Sequence, residues 1–288
     1  MKKVKKYDNI LYYNLSFLNG NCFYAIEYFK YFIDNNLPIQ LIIKTPNKNF
    51  TSKLYRYWND KYHDNDKYHD NDKYHDNDKY HNIENIIDKI IFINKEKIIS
   101  KNTFILDGTS ILDIDKNLFT KKVLYNWGDN ELSLKYSFIN SKIYKELSKN
   151  KNLKIITCSD HEIPMISETD IHFPLKLNFS IFKEINEFED NIFIEDKRDN
   201  FDSAKIFNRN RIYSNFHKTF NKLIYYKQGF YERANRLIPE CKFYNKKIEF
   251  YNYDDFIDSA QLRYDKSWES YDINKDKNIK KIIKDFIC

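Results

Sequence analysis

Residues 222–250 read KLIYYKQGFYERANRLIPECKFYNKKIEF. Lys222–Tyr226 is a short apolar and aromatic run of the kind that forms a strand. Gly229 then marks a turn. Arg233–Tyr244 follows a helical pattern, and Pro239 inside it moves the start of the helix proper toward Pro239, since proline is tolerated in a first turn. Lys247–Tyr251 is a second strand. Strand, turn, helix and strand in this order predict a parallel βαβ unit. In an open α/β sheet, ligands bind at the carboxyl ends of the strands. The basic stretch after Tyr226 therefore marks the first candidate site.

The same alternation runs through the rest of the chain. Strands are expected at Ile10–Leu15, Ile39–Lys44, Lys89–Asn94, Thr103–Asp107, Lys122–Asn126, Leu153–Thr157 and Ile192–Glu195. Cys22–Asn35 places Cys22, Ile26, Phe29 and Ile33 on one helical face. Leu132–Asn150 repeats the pattern, and Asp254–Ser267 and Lys277–Phe286 read as closing helices. The fold class expected is α/β with two Rossmann-like halves, the second reduced, and a helical C-terminal tail. The divisions are 1–165, 166–265 and 266–288.

The chain has 288 residues and only 4 glycines. Gly20, Gly108, Gly128 and Gly229 lie far apart, which excludes a Walker loop and a dinucleotide fingerprint. Each falls shortly after an expected strand, where a turn needs a small residue. No apolar run approaches the roughly 18 residues of a membrane-spanning helix. The basic start, Met1 to Lys6, is not followed by the apolar core of a signal peptide. A cytoplasmic protein without a membrane span is expected. Cys22, Cys158, Cys241 and Cys288 form no CxxC pair, so thiols rather than a disulfide framework or zinc site are expected.

Asp60-Lys61-Tyr62-His63-Asp64-Asn65 recurs as a hexapeptide through 60–81. The period matches neither a strand nor a helix face. His63, His69, His75 and His81 admit a metal-binding tract; an expanded surface loop is the simpler reading, because long loops cost little stability. The tract is net acidic, so the net charge of +6 understates how basic the remainder is.

Lys227, Arg233 and Arg236 beside a helix start suit a diphosphate. A carboxylate such as Glu240 suits the vicinal hydroxyls of a ribose. Glu232 and Glu240 stand eight apart, and the run from Glu232 to Phe250 resembles the nucleotide-sugar half of GT-B glycosyltransferases of bacterial and phage type, with their Glu-x7-Glu spacing and "YGKK"-like segment. The resemblance implies a hexosyltransferase-like enzyme using a UDP- or GDP-sugar. It places Glu240 on the donor ribose, Glu232 near the sugar, and Arg236 and Lys227, with Gly229 and Arg233 beside them, at the diphosphate. It also implies no bound metal or cofactor, because basic side chains and helix dipoles stabilise the leaving group.

On the other half, Asn19, Gly20 and Asn21 follow the first strand as an acceptor loop. Asp129 or Glu131 can deprotonate an acceptor hydroxyl; alternatively, Asp129 or Asn130 caps the helix from Leu132. His161 can contact the donor sugar, act as base, or lie in a polar turn. Asp113-x-Asp115 matches the metal motif of GT-A enzymes but recurs readily in an Asp-rich chain. The acceptor is a glycan or modified DNA, the latter as a flipped base. The alternative is a non-enzymatic nucleic-acid-binding protein, which basic charge and aromatics also suit.

Overall fold

The computed structural model describes residues 4–14, 20–45, 86–106, 118–119, 122–127, 153–157, 171–172, 176–182, 184–195, 216–226, 237–251 and 272–288. Its elements form two parallel sheets. The first contains β1 (Val4–Asn14), β2 (Gln40–Lys44), β3 (Ile91–Ile93), β4 (Lys97–Ile105), β5 (Leu118–Phe119), β6 (Lys122–Trp127), β7 (Leu153–Thr157) and β8 (Ile171–His172). Their order is β3-β2-β1-β4-β6-β7-β8, with β5 on the lower part of β4. β5 pairs Ile98 and Ile99, while β6 takes over from Asn102 to Ile105. Every pairing is parallel. This is the doubly wound order, in which the winding reverses between β1 and β4.

β1 forms because its second half, Ile10 to Tyr13, is buried on both faces, at 0–2% exposure. Leu11 and Tyr13 face α1 (Gly20–Asp34), together with Leu41, Ile43 and Phe104. Phe104 stacks on Tyr28 at 5.7 Å and meets Phe32 edge-on at 5.8 Å. Of the expected stripe of α1, Ile26 and Phe29 are buried and Ile33 packs against the core, while the side chain of Cys22 lies outside those described. Tyr24, Tyr28, Tyr31 and Phe32 are buried as well, so α1 is enclosed on more than one side.

The second sheet is smaller. β9 (Ile192–Glu195), β10 (Lys222–Tyr226) and β11 (Lys247–Tyr251) are parallel, with β10 in the middle. α2 (Leu237–Phe243) joins β10 to β11 and has Pro239 in its first turn, as the residue tolerates. Ile238 and Cys241 pack with Phe193, Phe220, Leu223 and Tyr225.

The closing helix α3 (Lys277–Ile287) does not trail behind the second sheet. Ile279, Ile283 and Phe286 belong to the same core as α1 and the first sheet. Asn102 on β4 donates to the carbonyl of Ile287 at 3.3 Å. Asp276 caps the other end, accepting from the backbone of Asn278 at 2.8 Å. The chain thus leaves the first sheet and returns to it. Its outgoing and returning segments touch: Leu177 and Asp272 form a parallel bridge, and the Ile273 N–H donates to the Leu177 carbonyl at 2.8 Å. Buried Lys176 pairs with Asp276 at 2.9 Å. The backbone N–H of Asn178 donates to the Glu27 carboxylate at 3.3 Å, and its side chain donates to the Glu27 carbonyl at 3.0 Å. The outgoing crossing is thereby fastened to α1, and the returning one to the outgoing one.

Candidate functional site

In a doubly wound sheet, the crevice opens at the carboxyl ends of the strands flanking the reversal. Here those ends are Asn14 on β1 and Ile105 on β4. Gly20 and Asn21 are the first two residues of α1, the helix that follows β1. They open a helix rather than line the expected loop. Asn19 lies outside the described residues.

Most of the other expected site residues also lie outside them: Asp129, Glu131, His161, Lys227, Gly229, Glu232, Arg233 and Arg236. The same holds for Asp113, Asp115, the hexapeptide repeat and the expected helices at 132–150 and 254–267. The elements around them locate them in the chain. β6 ends at Trp127, β7 at Thr157 and β10 at Tyr226, and α2 starts at Leu237. Residues 227–236 therefore connect the carboxyl end of β10 to the start of α2.

Glu240 is described in full. It occupies the middle of α2 and is buried, at 6% exposure. Its Oε2 lies 3.0 Å from Nε2 of His217, which is fully buried. His217 stands in a 3-10 turn, Phe216–Thr219, just before β10. Lys246 precedes β11 and is also buried. Its ammonium donates to the carbonyl of His217 at 2.5 Å and to that of Phe220. It sits 3.9 Å from the Phe188 ring centroid and 4.0 Å from that of Phe220. Two carbonyls and two ring faces are what a buried cation needs once water is removed. Burial still pulls its pKa from 10.5 down to about 8. Tyr244 places its ring 4.8 Å from that of His217. Burial and the nearby Glu240 carboxyl both raise the pKa of its hydroxyl.

This polar cluster lies where the two apolar cores meet, with Tyr244 in one and Cys241 in the other. It also lies at the amino edge of the second sheet, because His217 and Phe220 come before β10 and Lys246 comes before β11. The Glu240 carboxylate thus faces His217 inside the protein. The sequence expected it at a ribose, beside the carboxyl edge.

His217 and Tyr244 were not anticipated beside Glu240, nor Lys246 beside His217. Tyr244 and Lys246 stand within the quoted run. His217 is one of only three histidines outside the repeat, the one signal that singles it out. Among the described residues, no group of three or more His, Cys, Asp and Glu gathers as a metal site would require. No described helix is long and apolar enough to cross a membrane. No family model matches the chain, and neither a curated protein nor a solved structure matches it.

Proposed function

We propose that the chain is a glycosyltransferase of GT-B kind that moves a sugar from a nucleotide-diphosphate donor to an acceptor hydroxyl. One observation carries the reading: the second parallel unit, in which the connection from β10 to α2 bears Lys227, Arg233 and Arg236. Such a connection begins at the edge where α/β sheets take ligands. The reversal between β1 and β4 supplies a second crevice on the first sheet for the acceptor.

The acceptor oxygen attacks the anomeric carbon, and the bond from that carbon to the diphosphate breaks. Charge develops on the leaving diphosphate, and Lys227, Arg233 and Arg236 stabilise it. The acceptor proton passes to a carboxylate, for which Asp129 and Glu131 are the candidates. His161 and Glu232 are assigned to the sugar. The buried bond to His217 makes Glu240 a positioning residue: it fixes α2, and with it the end of the 227–236 connection.

A screen of UDP- and GDP-sugars, following release of the nucleoside diphosphate, tests the reading. Turnover with one donor, and its loss in Arg236→Ala with unfolding unchanged, is the expected result. Turnover unaffected by Arg236→Ala removes that residue from the site. Absence of both nucleotide release and thermal stabilisation with every donor refutes the transferase.

A further inference from the structure

α3 presents two opposite faces. Ile279, Ile283 and Phe286 are buried in the core. On the other side stand Lys277, Lys280, Lys281 and Lys284, which at 3.6 residues per turn fall within about 100° of arc. Lys277, Lys281 and Lys284 are exposed and Lys280 half-exposed. None of the four has an acidic partner among the described residues. On α1, by contrast, Lys30 pairs with Asp34 at 2.7 Å.

Helix stability does not account for this row. The first turn holds Lys277 and Lys280, which oppose the positive end of the helix dipole; the N-cap Asp276 that answers this end pairs with Lys176 and with neither of them, and only Lys284, in the last turn, stands where the dipole favours a cation. Asp285 follows Lys281 by four, the less favourable order for an intrahelical pair, and the two do not pair. A same-sign row held against local energetics fits an external polyanion. Its axial length of about 10 Å matches about six phosphates of a duplex. A lipid surface fits poorly, because an interfacial helix must bury an apolar face in the lipid and that of α3 is already in the core.

We infer that the lysine face of α3 contacts the phosphate backbone of nucleic acid. α3 packs on the first sheet, the acceptor side in the proposed function, which favours nucleic acid over a glycan as acceptor. That last step rests on the transferase reading; the contact surface does not.

Fluorescence anisotropy of the full chain with a labelled DNA duplex across a salt series tests the surface, with a labelled RNA duplex in parallel. Each phosphate contact contributes about 0.9 to the slope of log K against log salt. Replacing Lys277, Lys280, Lys281 and Lys284 with Gln should lower the slope by about 3–4 units and weaken binding roughly tenfold or more at low salt. Gln keeps the helix propensity. A charge-matched control replaces the exposed Lys6, Lys89, Lys95 and Lys97 with Gln and should keep most of the slope. Should the fourfold variant not fold, the pairs Lys277/Lys281→Gln and Lys280/Lys284→Gln should each remove about half of the change. An unchanged slope, an equal loss in the control, or binding to phosphatidylserine vesicles in place of either duplex overturns the proposal. Nucleoside diphosphate release is measured on the same samples. Lysine-dependent binding without release would sink the transferase and leave this surface standing.

Discussion

Asn36 and Asn245 adopt left-handed backbone, with φ of 54° and 53°. Each ends a helix in the same way. After α1, the N–H of Leu37 donates to the Phe32 carbonyl and that of Asn36 to Ile33; after α2, Lys246 donates to Cys241 and Asn245 to Lys242. This double closure is the Schellman motif, whose left-handed position usually belongs to glycine. In a chain with four glycines, asparagine takes it, since its short side chain tolerates that conformation. Asn245→Gly should be neutral or stabilise by up to about 1 kcal/mol, while Asn245→Val should cost about 1–2 kcal/mol, read from urea midpoints. Equal stability of the two variants would refute the assignment.

Lys246 adds a pH signature. Between about 8 and 10.5 the unfolded chain holds its proton and the folded chain does not, so this group makes stability rise with pH across that window. Tyr31 acts in the opposite sense. Burial, with Asp276 nearby, pushes it up from 10.0 to about 12, so its contribution is full below 10 and fades as pH climbs toward 12. Comparison with Lys246→Met isolates the lysine: wild type should gain stability relative to the variant as pH rises from 8 to 10. A difference that stays flat would show that Lys246 keeps its proton. Neither its burial nor the His217–Glu240 pair was legible in the sequence. The partners lie 23 residues apart on different elements, and contact between them depends on how α2 lies against β10.

At the scale of elements, legibility followed the apolar runs. Leu153–Thr157, Ile192–Glu195, Lys222–Tyr226 and Lys247–Tyr251 appear with the expected bounds, because their apolar runs coincide with their pairing. β1 and β4 are longer than expected. The first half of β1 alternates exposed and half-buried residues, that of β4 alternates buried residues with more exposed ones, and backbone pairing from Val4–Lys97 to Tyr7–Ser100 holds them. β5 and β8, of two residues each, are too short to show a period. α2 starts at Leu237, between the Arg233 and Pro239 starts that the sequence allowed. α3 was anticipated as a helix but not as part of the first core, since an amphipathic pattern states that a face is buried and not against what. Ile283 is fully buried there. Ile283→Ala should cost about 2–5 kcal/mol by chemical denaturation; Lys281→Gln should stay within about 0.5 kcal/mol. A small effect of Ile283→Ala would return α3 to the status of a peripheral tail.

For the whole molecule, the return of α3 joins the two ends of the chain. The parallel α/β character was readable from the alternation of strand and helix. The crossing was not, because it rests on contacts between residues far apart in sequence. Asn178 is the residue on which these contacts converge. It donates to Glu27 on α1, its Oδ1 accepts from Ser180, and Asn274 on the returning segment donates to the same oxygen at 2.7 Å. Removing the side chain leaves the buried Glu27 carbonyl without its donor, at a cost of about 1–3 kcal/mol if water cannot replace it, and takes the shared acceptor from Ser180 and Asn274. Asn178→Ala should therefore destabilise by at least about 1–3 kcal/mol. Hydrogen exchange should locate the effect, with protection falling together at 176–182 and 272–276 because one side chain serves both. Amides of β10, held by ladders to β9 and β11, should keep theirs. Loss at only one of the two crossings would mean that they open independently, and that Asn178 anchors one segment rather than the junction of the two sheets.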